Sequence, residues 1–304
     1  IGFAAVFILL TVLIISAGVE QGIEKWSSRL MPSLFILMIA LILYVLTQDG
    51  AMDGLRHYLV PDFSQITNPK LIVSAMGQAF FSMSLGVGTM LVYGSYIRAD
   101  ENLPVVGALV TLTDTSVAFL AGLLVLPAIF VAQNLGVTIY AEGGNLIAGP
   151  DLIFQVLPAL FNGMGATGLF AGLAFFVLMS IAAVTSSISM LEVPVSYAVE
   201  AHQINSNKAT CFVGLAVFSV SATICFNFES LFGFVITMTT ERAQPILSML
   251  LCIFAGWIFY RNSILEELKS GNPDLEQGLF WKIWPVYVKF FCPALILLTF
   301  AQGL

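Results

Sequence analysis

Apolar positions in this chain come in long unbroken runs, not in the strict alternation of a half-buried strand or the one-sided stripe of a soluble helix. A spanning helix needs about 20 mostly apolar residues. Eight stretches meet that length: 1–17, 31–48, 70–97, 103–135, 166–199, 207–226, 231–260 and 280–303. Several exceed the minimum, which predicts tilt or extension beyond the bilayer. The absence of dyad alternation excludes a barrel and leaves an all-α polytopic membrane protein, integral to its membrane. Short polar connections separate the runs. The longest outer one, around 136–165, is expected to be a loop carrying a short amphipathic piece.

Charge placement orients the set. Lys25, Arg29, Arg98, Lys208, Arg261, Lys269, Lys282 and Lys289 lie on or beside one alternate set of connections, whereas Arg56 and Lys70 lie on the other. The positive-inside rule therefore puts 18–30, 98–102, 200–208 and 261–279 in the cytoplasm and 136–165 outside.

Composition agrees and narrows the function. A length of 304 residues would suggest two soluble domains at about 150 residues each. Hydrophobic residues make up 59% and charged residues 10%, against about 25% charged in a soluble domain, so the apolar surface cannot be covered in water. The net charge of -7 excludes the basic stripe of a nucleic-acid binder. Cys211, Cys225, Cys252 and Cys292 sit inside apolar runs and read as small hydrophobes. His57 and His202 are expected in loops, which leaves little material for a His-based centre. The opening IGFAAVFILLTVLIIS has no charged region before its apolar stretch, so it reads as the interior of a longer chain rather than a signal peptide.

Ionisable groups inside a membrane point to function because each costs roughly 2.5–3.5 kcal/mol at a helix centre. Asp114, Glu192, Glu241 and Arg242 qualify. Asp114 stands among Thr111, Thr113, Thr115 and Ser116, either as interhelical polar glue or as a cation or proton site. In AAVTSSISMLE, Ala182, Thr185 and Ser186 share one helical face. Two hydroxyls and a loosened carbonyl suit a hard cation, while back-bonding to the helix's own carbonyls is the plain alternative. In GQAFFSMSLGVGTM, Gly86 and Gly88 each weaken a helix by about 1 kcal/mol just after Ser82 and Ser84. That predicts either a local break lining a cavity or small-residue helix packing.

Taken in order, GIEKWSSRLMPSLFIL, AMGQAFFSMSLGVGTMLVYGSYIR, VLPALF, VTSSISMLEVPVSYAVE and WIFYRNSILEEL resemble the neurotransmitter:sodium symporter family, in its bacterial amino-acid transporter branch. The resemblance covers nearly the whole chain as a single transmembrane transporter domain, 1–304, matching family helices four to eleven without the first three. It implies an inverted-repeat fold with broken helices, about eight of which are present, in a bacterial cytoplasmic membrane. It also implies sodium-coupled amino-acid symport by alternating access. The expected partners are an amino acid, sodium ions and the lipid bilayer, with no nucleic acid; a homodimer is compatible with it.

Carried over by residue, the resemblance places one sodium site at Ala182, Thr185 and Ser186. Ser82 and Asp114 match ligands of the other. Phe81, Ser82, Ser84, Val87, Ser186 and Met190 match the substrate lining. Gln78 and Tyr93 flank that region. Glu200 matches a cytoplasmic-gate acid with Tyr96 nearby. The chain departs from the family where an outer-gate Asp is expected: SLFGFVITMTTERAQPIL shows Gly233 and a short insertion, with Glu241 or Arg242 as substitutes. Val87 stands where many relatives carry an aromatic.

No bond-making chemistry is expected. An aspartyl intramembrane hydrolase needs two facing Asp residues and a serine one needs a His in a helix; this chain offers Asp114 alone. A non-transporting or degenerate regulatory relative is the alternative of the same fold.

Overall fold

Helices form over the apolar runs because a peptide group away from water must be hydrogen-bonded within its own segment. The structure, a computed structural model, describes residues 1–140, 146, 147 and 149–302, with the backbone alone at 65, 70, 73, 241 and 299–302. In chain order the helices are α1 (Gly2–Ser16), α2 (Val19–Leu46), α3 (Ala51–Leu59), α4 (Pro69–Ser82), α5 (Thr89–Tyr96) and α6 (Leu103–Asn134). They continue as α7 (149–163), α8 (Gly165–His202), α9 (Ser206–Phe226), α10 (Phe228–Ile258), α11 (Arg261–Gly271) and α12 (279–302).

Among the described residues, five helices are individually long and apolar enough to cross a membrane: α2, α6, α8, α9 and the 279–298 part of α12. Taking α10 with α11 makes six. The remaining two expected spans differ for local reasons. The described α1 is 15 residues long, about 22 Å at 1.5 Å per residue. The 70–97 run is broken between Ser82 and Thr89.

Contacts divide the chain into two compact units, one of residues 1–16, 63–114 and 188–304, the other of 17–62 and 115–187. In the second, Leu34, Met38, Leu41 and Val45 recur at helical spacing along α2 and are buried with Leu124, Ala128 and Ala132 of α6. Leu157, Leu160 and Phe161 of α7 and Ala171, Phe175 and Leu178 of α8 complete that core. Ile36 and Leu43 on the other face of α2 are 70% and 63% exposed, as an all-apolar helix facing lipid requires. Helix α7 docks onto the start of α8 so closely that a Cβ at Gly168 would lie 1.9 Å from the Phe161 carbonyl oxygen. Overpacking costs about 1–3 kcal/mol, so Gly168→Ala should lower the melting temperature of the intact protein in detergent by several degrees. An unchanged melting curve would mean the two helices separate at no cost.

In the first unit α1 packs on α9, where a Cβ at Gly214 would meet Val12 Cγ2 at 2.4 Å. Helices α10 and α12 pair through the Trp257 indole N–H, which donates to the Lys289 carbonyl at 3.3 Å.

Several expectations are corrected. His57 and His202 are helical rather than in loops. Gly50, at φ 89°, admits the chain into α3, where His57 lies 5.5 Å from the Phe130 ring. Helix α8 continues through His202 to a stop at Gln203, whose φ is 54°. The 49–69 and 261–279 connections contain α3 and α11. The amphipathic piece of the outer loop is α7; residues 141–145 and 148 of that loop lie outside the described residues. Lys289 does not border the last cytoplasmic connection. It sits in a π-helical turn inside α12, its ammonium 4.1 Å over the Trp257 ring, a contact that offsets part of the cost of a cation at that depth.

Candidate functional site

The break between α4 and α5 is the organising feature of the site. Residues 83–88 leave the helix, with Ser84, Gly86 and Gly88 at φ 50°, 81° and 93°. Glycine takes the left-handed region freely, whereas Ser84 holds it at a cost typical of functional sites. The freed backbone is partly re-bonded: Leu85 N donates to Phe80 O at 3.0 Å and Ser84 N to Phe81 O at 3.0 Å. Helix α5 then restarts at Thr89 behind Gly88.

At the end of α4, the Ser82 hydroxyl donates toward both carboxylate oxygens of Asp114 on α6, at 2.9 and 2.8 Å. Three oxygens from two helices thereby meet beside the unwound segment. Sequence spacing placed these residues 32 apart on separate helices; their meeting depends on how α4 and α6 pack. Phe81 is exposed, while Ser84 and Val87, in the unwound turn, are half-buried. Gln78 is exposed on α4, one turn before Ser82.

On α8, Thr185 is buried, Ala182 half-buried and Ser186 exposed. The Thr185 hydroxyl donates to the Ala182 carbonyl at 3.0 Å and to that of Ile181 at 3.2 Å. Back-bonding and a shared oxygen-rich face therefore coexist here. Met190, further along the same helix, is exposed.

Beyond the break, α5 is tied to α8 by two parallel bonds. Tyr93 donates its hydroxyl to Ser189 at 2.8 Å and Tyr96 to the Glu192 carboxylate at 2.6 Å. Both pairs are spaced i, i+3, so each helix presents one face to the other. The partner of Tyr96 is thus Glu192, 7% exposed, rather than Glu200, which is exposed near the end of α8. Glu192 carried a signal in the sequence as a carboxylate inside an apolar run; its pairing with Tyr96 did not. Gln244 on α10 was missed entirely. It is buried and donates to the Phe80 carbonyl at 3.3 Å.

The insertion expected in α10 takes the form of a π-helical segment, Thr237–Ala243. A wider turn absorbs an extra residue without ending the helix. Arg242 is exposed within it, and the Glu241 side chain lies outside the described residues. Gly233 occupies the preceding helical turn, and a Cβ there would meet open space.

Comparison with known proteins agrees with this arrangement. Residues 3–304 match the model of the sodium:neurotransmitter symporter family. An uncharacterised sodium-dependent transporter of Bacillus subtilis is 32% identical over 305 residues, covering 97% of this chain and 64% of its own. One from Haemophilus influenzae is 33% identical over 308 residues, covering 99% and 65%. The chain thus spans about two thirds of the length of these relatives. The crystal structure of MhsT in complex with L-phenylalanine superposes with a TM-score of 0.82 at 32% identity, covering 99% of this chain and 67% of that one. A family of transporters rather than enzymes accounts for a polytopic helical chain whose polar residues gather at a broken helix, and this chain belongs to the sodium:neurotransmitter symporter family.

Proposed function

We propose that this chain forms the larger part of a sodium-coupled symporter for a hydrophobic or aromatic amino acid, working by alternating access as a single transmembrane domain. The observation that carries this reading is the meeting of Ser82 and Asp114 beside the unwound 83–88 segment. Oxygen donors with one fixed negative charge suit a hard monovalent cation, and exposed backbone at membrane depth is tolerated where it contacts a ligand. Sodium at Ser82 and Asp114 would be one coupling ion. The Ala182 carbonyl and the hydroxyls of Thr185 and Ser186 offer neutral oxygens to a second. Phe81, Ser84, Val87, Ser186 and Met190 line the substrate. Tyr96 and Glu192 close the cytoplasmic side, with Glu200 beyond them. MhsT, whose structure holds L-phenylalanine, supports a bulky substrate by likeness.

Substrate size follows from the lining. One methylene in an apolar pocket discriminates by about 1–3 kcal/mol, so the volume left by Val87 and the adaptable Met190 favours large side chains. In the intact transporter, uptake of labelled leucine, phenylalanine or tryptophan should require sodium. These amino acids should compete at lower concentrations than alanine or glycine. Val87→Phe should shift the preference toward small amino acids. Uptake indifferent to sodium would refute the coupling, and a wild type preferring glycine would refute the argument from Val87.

A further inference from the structure

The broken helix is held on one side by α10. Gln244 is 6% exposed, and its Nε2 donates to the Phe80 carbonyl, which also accepts from Leu85 N. Phe80 directly precedes Phe81 and Ser82. On the same surface of α10, Gly86 approaches so closely that a Cβ would lie 2.3 Å from the Gln244 carbonyl and 2.6 Å from Ser248 Oγ. The Ser248 hydroxyl is buried without a hydrogen-bond partner, as is that of Thr89 at the start of α5. At this contact the Gln244 amide is therefore the side-chain group on α10 with a directed hydrogen bond to the hinge.

An unwound segment containing two glycines has few bonds of its own to fix it, and every alternative conformation lowers apparent affinity by the fraction that is not competent. The π-helical segment ends at Ala243, immediately before Gln244. An extra residue there rotates everything after it by about 100° relative to a plain α-helix, so the insertion sets the face on which Gln244 emerges.

We infer that Gln244 is a positioning residue: its amide clamps the Phe80 carbonyl and so sets the 81–87 segment in the geometry that binds substrate and sodium. The inference rests on the transport reading for its functional consequence, not for its structural one. It adds to the site a residue of α10 that touches neither ligand.

Gln244→Met keeps the size of the side chain and removes the donor. In the intact transporter it should raise the half-saturating concentrations of sodium and leucine about 5- to 10-fold, with the maximal rate per folded molecule changed less than two-fold. In the sodium-free, substrate-free protein, amide hydrogen exchange across 84–88 should quicken about ten-fold. Gln244→Asn, one methylene too short to reach, should reproduce both effects and serves if the methionine variant does not fold. Ser248→Ala, which removes a hydroxyl with no partner, should move exchange less than two-fold. Unchanged half-saturation and exchange would overturn the inference, as would a reduced maximal rate at unchanged half-saturation, the mark of a merely structural role. If the wild type shows no sodium-dependent uptake, the transport reading fails and the exchange measurement still decides the positioning of the hinge.

Discussion

Gly86→Ala should reduce sodium-driven uptake by the intact transporter to less than a hundredth of wild type while the protein still reaches the membrane. Gly86 has φ 81°, where a residue with a Cβ costs roughly 1–2 kcal/mol. The added carbon would stand 2.3 Å from the Gln244 carbonyl and 2.6 Å from Ser248 Oγ, and overpacking adds about 1–3 kcal/mol. The backbone oxygen cannot rotate away, so the hinge or α10 must shift. Each 1.4 kcal/mol moved against the competent geometry is about tenfold in binding, so two to four such kcal/mol in total remove most of the function. Gly107→Ala is the control, because a Cβ there meets nothing within 4 Å. Near-normal uptake by Gly86→Ala would show that the close approach to α10 is dispensable.

Asp114→Ala should abolish sodium-stimulated uptake, and Asp114→Asn should weaken it less completely. The carboxylate brings both its oxygens within 2.9 Å of Ser82 Oγ and supplies a full negative charge to any cation placed there. At 4 Å and an effective dielectric constant of 20 that charge is worth about 4 kcal/mol. Asparagine keeps one oxygen in place and loses the charge; alanine loses both. Because the counter-charge is covalent, replacing external chloride with gluconate should leave the wild-type initial rate unchanged. A large fall in gluconate would mean that a mobile anion, not Asp114, balances the cation.

The helical membrane architecture was legible in the sequence because lipid forces it locally: a run of about 20 apolar residues has one way to satisfy its peptide groups. The break at 83–88 was legible for the same kind of reason, since Gly86 and Gly88 weaken the helix wherever it packs. Chain-local signals also located Asp114, Thr185 and Ser186, and the extra residue in 231–260. They misplaced His57, His202 and Lys289, whose helices extend by capping and by contacts that hydropathy does not encode.

The tertiary structure decided which polar groups meet. Ser82 with Asp114, Tyr96 with Glu192 rather than Glu200, and Gln244 with Phe80 are 32, 96 and 164 residues apart. Each pairing depends on the rotation of one helix about its axis against another. Hydropathy along an all-apolar helix is nearly uniform around that axis, so the sequence fixes little of the rotation. Interlocking side chains, glycine notches and a π-turn in α10 fix it. The sequence by itself determined that this chain crosses a membrane in helices with a hinge in one of them; packing alone determined what the hinge leans on.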